Sequence, residues 1–176
     1  MRTPRPSQVA QPLAAALLSV LVACGGDGAD STPYNAQLAG VFATPANAST
    51  STGVYAFDVA DDWIFYLGSL TRLDPAEVLG IEVHAGAPGE DGPTILSLST
   101  DLFVRGSQGY QDSEGTLTEA DLLPAPEAGI AGFADAVAAI RAGRAYVEVR
   151  TTAVPDGEIR GAIVPGRATR LRSFTP

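Results

Sequence analysis

Beyond residue 36 the chain alternates short apolar runs with turn residues. The runs cover 37–44, 53–59, 62–67, 78–84 and 94–98, are rich in Val, Ile, Phe and Tyr, and are bounded by Gly, Pro, Asp and Ser. Segments of that length and composition predict β-strands. Within the second, Tyr55, Phe57 and Val59 alternate with Val54, Ala56 and Asp58, so one face points inward. The run Trp63 to Leu67 is apolar on both faces and predicts a central strand covered on both sides. Phe133, Val137 and Ile140 fall at helical spacing in an Ala-rich stretch and predict one helix over 132–142, ended by Gly143. Two further strands are predicted at 145–151 and 158–164, joined by the turn residues Pro155, Asp156 and Gly157. The fold class that follows is mainly β: an antiparallel β-sandwich or barrel-like Greek-key domain with one short helix.

The residues ahead of this pattern have a different grammar. Arg2 and Arg5 precede an apolar stretch from Leu13 to Ala23, and small residues lead to Cys24, an arrangement that predicts a secretory signal. The apolar stretch is shorter than the roughly 20 residues a spanning helix needs. Leu21-Val22-Ala23-Cys24 resembles the lipobox of bacterial lipoproteins. That resemblance implies cleavage before Cys24 and covalent lipid on it, hence an extracytoplasmic, membrane-held chain. Gly25 rather than Asp after the cysteine favours the outer membrane where the source has two membranes. The expected organisation is signal peptide 1–23, lipidated cysteine and polar tether 24–35, domain 36–165, and a tail 166–176 containing Arg167, Arg170 and Arg172. The tail reads as frayed or as a late edge strand, with contact to anionic headgroups as a further option.

Composition narrows the partners. All eleven basic residues are arginine, the acids number twenty, and the net charge is -9. Such a chain is repelled by phosphate backbones, so nucleic acid is not an expected partner. A single cysteine leaves no intramolecular disulfide. The expected partners are the membrane, through the lipid anchor, and an unidentified envelope protein or ligand.

Three ordered motifs place the domain. Ile81-Glu-Val-His-Ala-Gly, continuing to Gly92-Pro93, then Tyr146-Val-Glu-Val-Arg-Thr151, then Gly157-Glu-Ile-Arg-Gly161 together resemble the chordin-type (CHRD) domain family. Leu38-Ala-Gly, Gly53-Val-Tyr-Ala-Phe and Gly115-Thr-Leu-Thr are weaker echoes. The resemblance spans about 36–165 and implies an extracytoplasmic β-rich module. It supplies no biochemical activity, and the growth-factor binding of animal chordin does not carry over.

Strand alternation puts Glu82 with His84, Glu148 with Arg150, and Glu158 with Arg160 on shared faces, opposite aliphatic residues. These six form the candidate polar face. The family's histidines fall at positions 82, 84 and 150, and three imidazoles from two strands would suit Zn or Cu, similar to copper-zinc superoxide dismutases. Here only His84 is present, the single histidine of the chain. Arg150 puts a permanent cation in a ligand position, so pairing with Glu82 or Glu148 is the expected replacement. No cofactor beyond the covalent lipid is expected, and His84 is left as a weak candidate metal ligand. Glu90 and Asp91 lie in a Gly-rich loop without the ligand spacing of a calcium loop. Ser107 lacks the strand-to-helix context of a nucleophile elbow. The expected function is a non-enzymatic binding or structural module of the cell envelope; the alternative is a metal-binding or redox protein with a degenerate histidine site.

Overall fold

In a computed structural model, residues 30–74, 77–105 and 110–166 are described. Cys24, the predicted signal 1–23, the tether up to residue 29, Ser107 and positions 167–176 lie outside them. Ten strands form one antiparallel sheet: β1 (Thr32–Ala39), β2 (Thr52–Val59), β3 (Ile64–Thr71), β4 (Val78–Ala85), β5 (Thr94–Leu98), β6 (Phe103–Arg105), β7 (Tyr110–Leu117), β8 (Ala145–Thr151), β9 (Ile159–Ala162) and β10 (Val164–Pro165). Among the described residues one α-helix, α1 (Phe133–Arg141), lies in the connection from β7 to β8.

The sheet order is β5-β4-β8-β9-β1-β2-β3-β7-β6, with β10 also on β1. The meander β1-β2-β3 and the pair β6-β7 make one half, and the hairpins β4-β5 and β8-β9 make the other. Three crossovers join the halves. The ends then curl toward each other: Leu122 bridges Leu96 of β5, and the Leu123 amide donates to the Ile95 carbonyl at 2.9 Å. The result is a nearly closed, barrel-like sheet.

Its interior is filled by the inward parity of each strand, including Leu38, Tyr55, Phe57, Ile64, Leu70, Ile81, Val147, Val149 and Ile159. Burial of each large side chain of this kind contributes about 1.5–3 kcal/mol. α1 adds Phe133, Val137 and Ile140 to the same core and contacts β8. Its start is held by the Asp135 carboxylate, which accepts from the Ala131 and Gly132 amides, and by Glu119, which accepts from the Phe133 amide at 3.0 Å. Gly143, at φ 68°, turns the chain out of the helix into β8.

Several expected boundaries move. The first strand begins at Thr32 rather than 37, so residues 32–35, expected as polar tether, are strand. Pro33 and Asn35 look like loop residues, but Tyr34, Ala36 and Leu38 alternate inward and β1 pairs with β2 from Thr32↔Val59 onward. After Ala39 the chain enters a 3₁₀ turn, Gly40–Phe42, so Val41 and Phe42 leave the sheet and stand exposed. β3 is internal to the sheet, between β2 and β7, but it is not covered on both sides: Ile64, Tyr66 and Leu70 are buried while Phe65 and Leu67 are half-exposed. The core of a barrel fills its inner face, and the outer face of β3 is left half-exposed. β7 escaped the apolar criterion because its inward parity runs Gln111, Ser113, Gly115 and Leu117, of which only Leu117 is a large apolar residue; Ser113 is buried against Tyr55, hydroxyl to hydroxyl at 3.0 Å. The predicted last strand is interrupted at Ile163, which is fully buried, yet β9 and β10 keep one register on β1, with Arg160 opposite Ala39 and Val164 opposite Asn35.

Candidate functional site

Adjacent strands β4, β8 and β9 bring the polar parity of three motifs into one ladder. His84 lies opposite Tyr146; Glu82 lies opposite Glu148, which in turn lies opposite Arg160; Gly80 lies opposite Arg150. These side chains point away from the barrel core, since Ile81, Val83, Val147, Val149 and Ile159 take the inward parity. Outward does not mean exposed. His84, Tyr146, Glu148 and Arg160 are all buried, and loop 86–93 folds back over His84, Tyr146 and Arg160.

The roof is fastened by specific bonds. His84 Nδ1 lies 2.9 Å from the Gly92 carbonyl oxygen, and the Gly92 amide donates to the Tyr146 hydroxyl at 3.1 Å. Arg160 donates through Nη1 to Asp91 Oδ1 at 2.7 Å and to Thr44 Oγ1 at 3.0 Å, and through Nη2 to the Glu90 carbonyl. Its guanidinium carbon sits 3.4 Å from the centroid of the Tyr146 ring, a close cation-π contact. The His84 ring stacks on Tyr146 at 5.0 Å, nearly parallel at 9°.

Charge on this face is largely internally paired. Arg150 grips Glu82 with two parallel bonds, Nε to Oε2 at 2.9 Å and Nη2 to Oε1 at 2.6 Å, the fork geometry that guanidinium and carboxylate favour. Burial alone would raise the Glu82 pKa, but the Arg150 bonds, with help from His84, outweigh it and hold the carboxyl below its ordinary value. His84 Nε2 faces Glu82 Oε2 at 3.3 Å and Glu148 Oε1 at 3.8 Å, so both ring nitrogens face oxygen acceptors. Glu148 goes the other way: burial raises its pKa, and the attraction of His84 and Arg160 only partly offsets that. Gly157, at φ 122°, makes room for this carboxylate, since a Cβ there would fall 2.6 Å from Glu148 Oε2.

Glu158 does not join the ladder. It turns to the rim of the barrel, where its carboxylate accepts from Ser49 Oγ at 2.7 Å, Ser51 Oγ at 2.7 Å and Thr151 Oγ1 at 2.6 Å. Asn47 reinforces the junction by donating to the Glu158 carbonyl at 3.0 Å. The loop after the 3₁₀ turn is thereby tied to the β8-β9 hairpin. Burial would raise the Glu158 pKa, but the hydroxyls of Thr151, Ser49 and Ser51 outweigh it and hold it low. A depressed carboxylate contributes stability that is fully present above its unfolded pKa of about 4.3 and is lost as pH falls through the lower folded value. Glu158→Gln is therefore expected to cost about 1–3 kcal/mol at pH 7. In urea melts the gap from wild type should narrow below about pH 4; a gap independent of pH would refute the carboxylate's role.

Five of the six expected polar residues thus converge and one stands apart. Tyr146, Asp91 and Thr44 were not among them. Tyr146 shares parity with Glu148 and Arg150, so its ring was placeable on this face from the strand pattern; the two loop residues carried no such signal. Chemically, the face offers an imidazole between two carboxylates, one of which is already clamped by arginine. Among the described residues no group of three or more His, Cys, Asp or Glu side chains is arranged to hold a metal ion.

The family model of the CHRD domain matches residues 34–163. No curated protein and no solved structure matches the chain. The matched span runs from Tyr34 on β1 to Ile163 at the break before β10, so it encloses the whole ladder, its roof and the Glu158 junction. The chain belongs to the CHRD domain family.

Proposed function

We propose that this protein is a lipid-anchored, extracytoplasmic CHRD-domain lipoprotein of the cell envelope, acting as a non-enzymatic binding or structural module. The observation that carries the non-enzymatic part is the state of the polar face. Glu82 is bound by Arg150, His84 Nδ1 faces the Gly92 carbonyl, and Arg160 is occupied by Asp91, Thr44 and the Glu90 carbonyl. Side chains so engaged fasten a loop to a sheet; a catalytic acid, base or nucleophile needs an open approach to substrate. The anchor part rests on the leader, the apolar stretch and the lipobox-like ending at Cys24. Two or three acyl chains on one cysteine hold a protein to a bilayer far more durably than a single chain.

Membrane fractionation tests the anchor. Cys24→Ser is expected to move the protein from the membrane to the soluble fraction, and unchanged membrane association would sink the lipoprotein reading. A second reading, metal binding, draws on the convergence of Glu82 and Glu148 on His84 Nε2. Stoichiometric copper or zinc in the purified protein, lost in His84→Ala, would replace the structural reading of the face with this one.

A further inference from the structure

Loop 86–93 also borders a pocket of about 250 Å³, shared with Ala128 and Ile130 ahead of α1, Ala139 within it and Arg144 just after it. Sites for drug-sized ligands run to about 300–1,000 Å³, so a space of this size suits an occupant of only a few heavy atoms. Its walls are mostly alanine and glycine. Three charged residues line it: Glu90, Asp91 and Arg144. Asp91 is already paired with Arg160 at 2.7 Å. Glu90 and Arg144 are left over, because among the described residues neither side chain has a hydrogen bond or ion pair, with the other or with a third group. The other arginines whose side chains are described, Arg72, Arg141, Arg150 and Arg160, all hold an oxygen acceptor.

We propose that this pocket binds a small zwitterion, an α-amino acid of the size of glycine or alanine, with its carboxylate on Arg144 and its ammonium on Glu90. The proposal rests on the binding half of the function proposed above and is independent of the anchor at Cys24. Opposite charges that border one small space without pairing offer complementary ends to a ligand that carries both. Other classes of occupant fit less well. A simple anion would meet Glu90 and Asp91 beside the arginine, a metal ion would meet the guanidinium, and an apolar molecule would leave both charges desolvated and unpaired. A guanidinium takes a carboxylate through two parallel bonds, which fixes the orientation of the ligand as well as its charge. The wall that carries Glu90 is set in advance, since Arg160 holds the loop through Asp91 and the Glu90 carbonyl. Ala85, Ala87, Ala128 and Ala139 leave room for a hydrogen or methyl side chain and offer no aromatic or long apolar surface to a larger one.

The test is calorimetric titration of the full chain carrying Cys24→Ser with glycine, L-alanine and D-alanine. Saturable binding of at least one is expected, and propionate and ethylamine, which each keep one of the two charges, should bind about tenfold more weakly or worse. Arg144→Gln and Glu90→Gln, at exposed sites that should leave the thermal transition in place, are each expected to weaken binding about tenfold or more. Bound ligand should slow hydrogen exchange of amides in 86–93. Phenylalanine should be rejected on size, and alanyl-alanine, whose charges stand further apart, should bind more weakly than alanine. No saturable binding of any of the three amino acids overturns the site. Propionate binding as tightly as alanine, with no loss in Glu90→Gln, overturns the zwitterion and makes the pocket an anion site; a dipeptide that binds as well as alanine overturns the single amino acid as ligand. Chemical conversion of the amino acid during the titration would overturn the non-enzymatic reading and leave the site in place.

Discussion

Arg160→Ala is expected to destabilise the domain by about 3–5 kcal/mol, the range seen when one partner of a buried charged network is removed. The side chain is 3 % exposed and serves three elements at once: it grips the roof through Asp91 and the Glu90 carbonyl, reaches Thr44 after the 3₁₀ turn, and packs on Tyr146 of β8. Its loss also removes the guanidinium directly opposite Glu148 on β8, a buried carboxyl whose raised pKa that positive charge partly offsets. Arg160→Lys should recover little, because an ammonium cannot reproduce the fork or stack on the ring in the same way. Asp91→Ala should cost about 1 kcal/mol or less, since the Asp91 side chain is 66 % exposed and that end of the pair is screened. Urea denaturation of the three variants checks the order. An Arg160→Ala change as small as that of Asp91→Ala would mean that the ladder does not hold the loop.

Gly92→Ala is expected to cost about 3 kcal/mol or more, above the ordinary range for overpacking, because the clash is with backbone. A Cβ on Gly92 would fall 1.5 Å from the Ala85 carbonyl oxygen and 2.7 Å from its carbon, and no rotamer can relieve that. The loop would have to lift, and with it the Gly92 carbonyl that faces His84 Nδ1 and the amide that donates to Tyr146. Gly89→Ala is the matched control in the same loop. It sits at φ 84° with nothing within 4 Å of the new Cβ, so the expected cost is the left-handed penalty of about 1–2 kcal/mol. The shift in the denaturation midpoint separates the two, and hydrogen exchange of amides in 86–93 should rise in Gly92→Ala well before global unfolding. An unaltered midpoint in Gly92→Ala would show that the roof can be rebuilt without its close approach to Ala85.

These two positions also mark where sequence reasoning stopped. Gly92 falls in the Gly-rich loop that holds Glu90 and Asp91, and nothing local shows its contact with Ala85, a strand residue seven positions earlier that only the folded loop brings back. Arg160 was placed on a shared face with Glu158 by alternation, and alternation held for the one and failed for the other. Glu158 lies just before β9 at the rim of the barrel, where the three hydroxyls from the loop and β8 draw it out of the ladder. That Arg150 pairs with a carboxylate was legible, as Glu82 or Glu148; that the partner is Glu82 followed only from β4 lying beside β8.

By itself the amino-acid sequence determined the fold class, most strand positions, the one helix, the family, and which side chains share a parity on β4 and β8. All of these depend on local periodicity or on ordered motifs, and neither needs distant contacts. Only the tertiary structure decided that the sheet curls into one barrel around its core, that the polar parity is roofed, and that Glu90 and Arg144 border one pocket. The physical reason is the same in each case. Sheet closure, loop docking and pocket formation are set by pairings between residues far apart in the chain, such as His84 with Tyr146 or Val164 with Asn35, and no window along the sequence contains both partners.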